Sequence, residues 1–254
     1  MNNNFDLKGK VAIITGSSKG IGAAIAEAYA AQGAKVVVSS RKQTAVDEVV
    51  AKINAAGGTA LGIECHVGKQ EHLENLVNKT VEHFGKVDVL VNNAATNPVF
   101  DMLQNATEQA FDKIINVNVK ACMMLANLCY KSMKENGGGS IINIASVEGM
   151  KPTIGLGMYS ISKAALIMLT KSQAKEWSGN NIRSNNICPG LIQTKFSEAL
   201  WKNETILNQF ETHIPMKRMG QSEEITGLAC YLASESASYT TGGVFMVDGG
   251  YMLA

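Results

Sequence analysis

The chain has 254 residues, of which 46% are hydrophobic and 18% charged. That balance is ordinary for a globular enzyme, and the length suffices for one large domain with a full core. A formal net charge of +1 excludes the strong electrostatic attraction used by nucleic-acid and acidic-membrane binders, so neither partner is expected.

The five cysteines, Cys65, Cys122, Cys129, Cys188 and Cys230, form no CxxC pair and no metal-ligand spacing. No metal is expected, and the thiols read as reduced, buried small residues of an intracellular protein. The opening MNNNFDLKGK lacks a signal peptide's apolar run, no window reaches the length of a membrane span, and the closing GGYMLA is not a peroxisomal address. A cytoplasmic protein is therefore expected.

Along the chain, short β-branched runs alternate with helical patterns. The predicted strands are Val11–Thr15, Lys35–Ser40, Ala60–Glu64, Val87–Val91, Ser140–Ala145, Ile182–Cys188 and Val244–Val247. Between them, Ile21–Gln32 and Leu73–Phe84 carry apolar residues at i, i+3, i+4 spacing. Strands apolar on both faces, each followed by a helix, predict a doubly wound parallel α/β sheet of the Rossmann type in a single domain. The Gly137–Gly139 run reads as a helix end turning into a strand. Only the stretch from Leu191 to about Arg218 breaks the alternation. It predicts a small helical lobe inserted near the sheet's carboxyl edge, where such lobes cover ligands. Its Leu191, Phe196, Leu200, Trp201, Ile206 and Phe210 are expected to close over an apolar ligand, with Thr96, Asn97, Pro98, Glu148 and Met150 as the opposite wall.

The first strand runs directly into Thr15-Gly16-Ser17-Ser18-Lys19-Gly20-Ile21-Gly22, which opens the first helix. A dinucleotide pyrophosphate needs backbone N–H groups at a helix N-terminus, and glycines permit that close approach. No Gly-Lys-Ser/Thr closes the turn, which excludes a Walker loop. The second strand ends at Ser39-Ser40-Arg41, where an NAD site usually carries an acidic residue for the ribose 2′-hydroxyl. Ser40 leaves that place uncharged. Lys19 and Arg41 then flank it with positive charge, which suits the 2′-phosphate of NADP(H). The alternative is that Lys19 and Arg41 are solvated surface charges, which their joint placement at these two points disfavours.

Tyr159 and Lys163 stand four apart, on one face of a predicted helix. A nearby ammonium stabilises the tyrosinate and lowers the phenol's pKa, which lets it exchange a proton near neutral pH. Ser146 lies just past a strand, at the carboxyl end where doubly wound folds place their chemistry. Asn118 falls inside an apolar helical stretch, Phe111–Lys131, and on its own reads as a satisfied core amide.

Together these residues make the chain resemble the short-chain dehydrogenase/reductase family over nearly its whole length. The Gly-rich turn, Asn92-Asn93-Ala94, Asn118, Ser146, Tyr159/Lys163, Pro189-Gly190 and Val247-Asp248-Gly249-Gly250 come in that family's order and spacing. The resemblance implies roles. Tyr159 would be the general acid in reduction and the base in oxidation. Lys163 would tune it and hold the nicotinamide ribose, Ser146 would hydrogen-bond the substrate oxygen, and Asn118 would position a water linking Lys163 to solvent. The cofactor would also be held by Gly16, Ser18, Lys19, Gly20, Ile21, Gly22, Ser40 and Arg41. Further along the chain, His66 and Val67 would lie beside adenine, and Asn93 and Ala94 beside a ribose. Past Pro189 and Gly190, Ile192 and Thr194 would hold the carboxamide. Two positions depart from the family pattern: Ala95 stands for the usual Gly, and His66 for the usual Asp.

Within the family, Cys65-His66-Val67-Gly68-Lys69, Asn93 through Pro98, and Pro189 through Trp201 resemble the NADPH-dependent carbonyl/retinol reductase branch. The resemblance implies hydride transfer between NADP(H) and a small-molecule carbonyl or alcohol. It also implies a homotetramer, with Ala121, Met124, Leu125, Leu128, Ala164–Thr170 and Gly242–Ala254 as candidate contacts. A 3-oxoacyl-carrier-protein reductase or a sugar/polyol dehydrogenase would use the same scaffold, and an NADP(H)-sensing regulator would keep the fold without turnover. The resemblance implies two basic docking positions in a carrier-protein reductase, which here are Ser140 and Lys175.

Overall fold

The computed structural model describes residues 5–253, apart from the side chains of Ile206 and Gln209. Seven strands form one all-parallel sheet: β1 (Val11–Thr15), β2 (Lys35–Ser40), β3 (Thr59–Glu64), β4 (Val89–Asn92), β5 (Gly139–Ile144), β6 (Ile182–Pro189) and β7 (Val244–Val247). Their order is β3-β2-β1-β4-β5-β6-β7. The helices are α1 (Gly20–Ala31), α2 (Gln43–Ala55), α3 (Gln70–Phe84), α4 (Glu108–Ile115), α5 (Ala121–Glu135), α6 (Gly157–Trp177), α7 (Glu198–Trp201), α8 (Glu204–His213) and α9 (Thr226–Ala233).

Strand parity divides the core into two layers, because successive side chains point to opposite faces. Ala12, Ile14, Val36, Val38, Val89, Val91, Ile142 and Ile144 pack with Ile25, Tyr29 and Ala229 of α1 and α9. Ile13, Val37, Leu90 and Ile141 pack on the other face, with Leu73, Leu76, Leu125 and Met133 of α3 and α5. Both faces are covered, which is why the strands read as unbroken apolar runs. The chain reverses its winding between β1 and β4, and a ligand cleft opens outside the carboxyl ends of strands at such a switch point.

Strand edges moved slightly from the sequence expectation. The fourth strand begins at Val89 because Asp88 turns its carboxylate back to accept the Val11 N–H at 2.8 Å. The larger change is in the predicted helix Phe111–Lys131. It is interrupted by a π-helical turn at Asn116–Lys120, which separates α4 from α5. No helix is long and apolar enough to cross a membrane among the described residues.

Candidate active site

The Gly-rich turn is fixed from two sides. Ser17 Oγ donates to Ile14 O at 2.7 Å and accepts from Ser39 N at 2.8 Å, which ties the turn to β2. Asn93 Nδ2 donates to Thr15 O at 2.9 Å and to Gly16 O at 3.1 Å, which ties it to the end of β4. Gly16 has φ +65°, and a Cβ there would meet Ala94 Cα at 2.9 Å. A Cβ on Gly22 would overlap Asn93 Nδ2 and lie 2.7 Å from Gly16 O. Gly22 therefore serves close packing beneath the turn and does not line the cleft. The amide of Asn93 is likewise committed to the turn. α1 starts without a side-chain cap and with no acidic residue in its first turn, so its first N–H groups are open to an anion.

Above this turn lies a cleft of about 1220 Å³. At one end its wall includes Gly16, Ser18, Lys19, Gly20, Ile21, Ser40, Arg41, His66 and Val67; Asn93 and Ala94 continue it. Its other part holds Ser146, Tyr159, Lys163, Pro189, Gly190 and Ile192, and Thr194 also lines it. Arg41 and Lys19 are both exposed there, with Ser40, the last residue of β2, directly before Arg41. His66 Nδ1 accepts the Gly68 N–H at 3.1 Å, so its ring shapes its own turn. A Cβ on Gly20 would lie 3.3 Å from Thr194 Cγ2, so the segment at Thr194 comes back against the Gly-rich turn. Gly190 N donates to Val247 O at 3.0 Å, and Ile192 pairs with Gly220, which holds the segment that leads into the lobe.

At the chemical end, Ser146 follows β5 in extended backbone and hydrogen-bonds the Tyr159 phenol. Tyr159 and Lys163 share α6, and Lys163 Nζ stands 5.5 Å from the Tyr159 ring centre. Nζ also donates to Ile144 O at 2.7 Å. Burial pushes the Lys163 ammonium down to about 8. Burial also pushes the Tyr159 phenol well above its usual value, and the Ser146 hydrogen bond opposes this. The sequence expectation was a phenol lowered by its lysine. Desolvation of the half-buried ring is the larger effect here, and i, i+4 spacing carries no information about it.

Asn118 sits in the π turn, fully buried. Its Oδ1 accepts from Thr96 N at 2.8 Å, and its Nδ2 donates to Thr96 O and to Ser162 Oγ, each at 3.0 Å. Both amide hydrogens are used, so the side chain clamps the loop after β4 to α6, one residue before Lys163. Asn118 does not line the cleft itself.

The lobe of α7 and α8 brings Leu191, Phe196, Leu200 and Phe210 to the cleft. Trp201 instead locks the lobe's base, its Nε1 donating to Thr194 O at 2.9 Å. Ile206, also expected here, has a side chain outside the described residues. On the opposite wall Thr96, Asn97 and Glu148 line the cleft, whereas Pro98 and Met150 do not. Sequence reasoning missed Phe100, Leu156, Tyr251, Lys113 and Asn116. Phe100 and Tyr251 lie in loops just past β4 and β7, and aromatic residues at strand carboxyl ends were the available signal. Among the described residues no group of His, Cys, Asp or Glu could hold a metal.

The cleft fits a nicotinamide dinucleotide on this chain's own features: a glycine cradle that a Cβ would fill, an uncapped helix start and two flanking cations. A family profile described as Enoyl-(Acyl carrier protein) reductase matches residues 16–252. Dehydrogenase/reductase SDR family member 4 of Oryctolagus cuniculus is 45% identical over 244 residues, covering 96% of this chain and 94% of that protein. The chain belongs to the short-chain dehydrogenase/reductase family. Solved members of the family superpose over its full extent. A short-chain type dehydrogenase/reductase from Mycobacterium marinum gives a TM-score of 0.94 at 37% identity and covers 99% of both chains. A putative NAD(P) dependent gluconate 5-dehydrogenase from Beutenbergia cavernae, with bound NADP, gives 0.95 at 32% identity and covers 99% of this chain and 100% of that one. This short-chain dehydrogenase/reductase is thus an oxidoreductase of a family that works with a nicotinamide cofactor.

Proposed function

We propose that the chain is an NADP(H)-dependent carbonyl reductase, acting on a small-molecule carbonyl or, in reverse, an alcohol. The observation that carries this reading is the meeting of Ser146, Tyr159 and Lys163 in one cleft with Lys19, Ser40 and Arg41. The first group can handle a proton on an oxygen, and the second suits a 2′-phosphate.

When bound, the nicotinamide supplies or accepts the hydride. The turn from Gly16 to Ile21 receives the pyrophosphate on backbone N–H groups. Lys19, Ser40 and Arg41 hold the 2′-phosphate, His66 and Val67 flank the adenine, and Asn93 and Ala94 lie along a ribose. Pro189, Gly190, Ile192 and Thr194 hold the carboxamide end. Ser146 donates to the substrate oxygen, and Tyr159 gives that oxygen its proton in reduction and takes it back in oxidation. Lys163 donates to the ribose and favours the tyrosinate form. Because the amide of Asn118 is committed to Thr96 and Ser162, the relay water would meet its main chain.

The lobe at 191–218 covers the substrate in this reading, and its apolar side chains favour a medium-sized ketone or aldehyde with an apolar body. Five free, buried cysteines among the described residues suit a reducing compartment, in keeping with a cytoplasmic enzyme. A homotetramer completes the reading. Ala121 and Leu125 belong to the core of the single chain, and Met124 and Leu128 pack against it. Contacts between copies would instead use the exposed Met123, Ile161 and Met168 of α5 and α6. Light scattering that gives one species near the monomer mass of 27.1 kDa would overturn the tetramer.

The test of function is turnover. Purified protein is given NADPH or NADH with a panel of carbonyls, and cofactor absorbance is followed. A win for an acetoacetyl thioester or a keto-sugar would move the reading to a carrier-protein reductase or a polyol dehydrogenase. NADPH binding without turnover on any carbonyl or alcohol would leave a sensor.

A further inference from the structure

Glu148 is buried in the cleft wall, on the turn between Ser146 and Tyr159. Its carboxylate accepts from three neutral donors. Thr153 N and Ser160 Oγ reach Oε2 at 2.8 and 3.1 Å, and Thr153 Oγ1 reaches Oε1 at 2.6 Å. Among the described residues no lysine, arginine or histidine forms an ion pair with it. A clamp between Thr153 and Ser160 could be made by an amide without the cost of burying a charge. A full charge at this place therefore asks for a reason beyond the clamp.

The neighbours supply one. The Glu148 N–H donates to Ser146 Oγ at 3.1 Å, and Ser160 directly follows Tyr159 in the first turn of α6. Glu148 thus holds Ser146 through its main chain, and through its carboxylate it holds Ser160, the chain neighbour of Tyr159. We propose that Glu148 is a positioning residue whose charge sets the pH at which Tyr159 passes from acid to base, keeping the phenol protonated through the neutral range. This rests on the role given to Tyr159 above.

The electrostatics agree in direction. Burial raises the phenol most, the Ser146 hydrogen bond opposes it, and the Glu148 charge raises it further. Cys188, from β6, also faces Tyr159, but its thiol is pushed up to about 11 and is neutral near pH 7. Lys163 faces the ring from the same helix. Phe196 brings no charge from the lobe, where Lys195 is paired with Glu198. Lys151 stands over the Tyr251 ring at 5.4 Å, and Lys113 reaches the cleft from α4. The other carboxylate of the cleft wall, Glu48, is on α2 at the cofactor end.

The test is the pH dependence of kcat/KM for alcohol oxidation. Glu148→Gln keeps the shape: its carbonyl accepts from Thr153 N and Ser160, and its amide donates to a rotated Thr153 hydroxyl. The acid limb should move to lower pH by about half a unit or more, the scale of losing one nearby like charge. Thr153→Val keeps the charge and removes one clamp bond, and its limb should stay in place. A Glu148→Gln profile that superimposes on wild type overturns the proposal, as does a Thr153→Val limb that moves equally. If Tyr159→Phe retains both activity and limb, the proposed function itself has failed.

Discussion

Asn93 and Gly22 are in contact beneath the phosphate turn: the Asn93 amide that ties Thr15 and Gly16 occupies the place a Gly22 side chain would take. Ala is the better helix former by about 0.5–1 kcal/mol. The overlap at this position costs about 1–3 kcal/mol, because Gly16 O and Ser17 Cα are main-chain atoms that cannot swing away. The clash therefore wins, and Gly22→Ala should lower Tm by about 2–8 °C. Gly227→Ala is the control: its Cβ would meet nothing within 4 Å, so Tm should hold or rise. Differential scanning calorimetry of both variants checks this, and equal Tm values would discount the contact.

For the cofactor, NADP(H) should be preferred over NAD(H). Arg41→Ala should weaken NADPH by about tenfold, at the lower end of the range for a charge-assisted bond because the side chain is exposed. NADH should be unaffected. Ser40→Asp should shift preference toward NADH by placing an acceptor for the 2′-hydroxyl and a repulsive charge for the phosphate. A wild-type kcat/KM equal or better with NADH would dismiss the phosphate cradle.

Lys163 should give NADPH binding an alkaline limb. Burial brings the folded-state pKa from 10.5 down to about 8, and the ammonium is the form that donates to the ribose. As pH rises through about 8, free enzyme exchanges the ammonium for a neutral, weaker donor, so the Kd for NADPH should rise; Lys163→Met should bind more weakly and show no limb. The stability sign is the reverse. Between about pH 8 and 10.5 the unfolded chain holds the extra proton, so this group favours folding more as pH rises. Fluorescence titration from pH 6.5 to 9.5, a range of about 3 units around that value, decides the binding half. A flat wild-type Kd would remove Lys163 from the ribose.

Much of this was legible in the residues. β1, β2 and β7 end where the β-branched runs end, and Ser146 lies one residue past the expected strand because a parallel sheet buried on both faces leaves little choice of register. The π turn was not legible. Its Asn118 meets Thr96 and Ser162, which only the folded chain brings near. Tyr251 offered only its place just past a strand end; it reaches the cleft because β7 lies at the sheet edge next to β6. The split of α5 into core and exposed faces also escaped helical spacing, since Leu125 and Met123 are both apolar.

The proton donor has a sharp expectation. Tyr159→Phe keeps the ring and its contact with Phe196, and removes only the hydroxyl. kcat should fall by at least ~10²-fold, the scale of general acid–base catalysis, with NADPH affinity nearly unchanged. Ser146→Ala should cost a similar factor through lost stabilisation of the substrate oxygen. Single-turnover measurements separate chemistry from release, and a Tyr159→Phe enzyme with near-normal single-turnover rate would exclude the phenol.

Substrate choice should be governed by the lobe. Phe196 lies 6.0 Å from the Tyr159 ring, planes inclined at 42°, yet remains 54% exposed, so it offers an open aromatic face directly above the proton donor. Phe210 and Tyr251, 6.3 Å apart, and Phe100 across the cleft extend that surface. A ligand that covers the exposed part of one such ring gains about 1–2 kcal/mol, part of the value of fully burying a Phe side chain. Phe196→Ala should therefore raise KM for an aromatic or long-chain ketone by roughly tenfold. kcat should change little, since the contact exists before and during the reaction. A keto-sugar, which has no apolar body to lay on the ring, should show little change in KM. The carrier-protein alternative is not served by Ser140, one of the two positions where a basic docking residue would fall. That serine is buried in β5 with its hydroxyl on Leu232 O at 2.8 Å, so it can meet no partner. The deciding measurement is kcat/KM for matched ketones, an acetoacetyl thioester and a keto-sugar, on wild type and Phe196→Ala. Loss of the sugar or thioester activity with the ketone activity intact would reverse the assignment of the lobe to an apolar substrate.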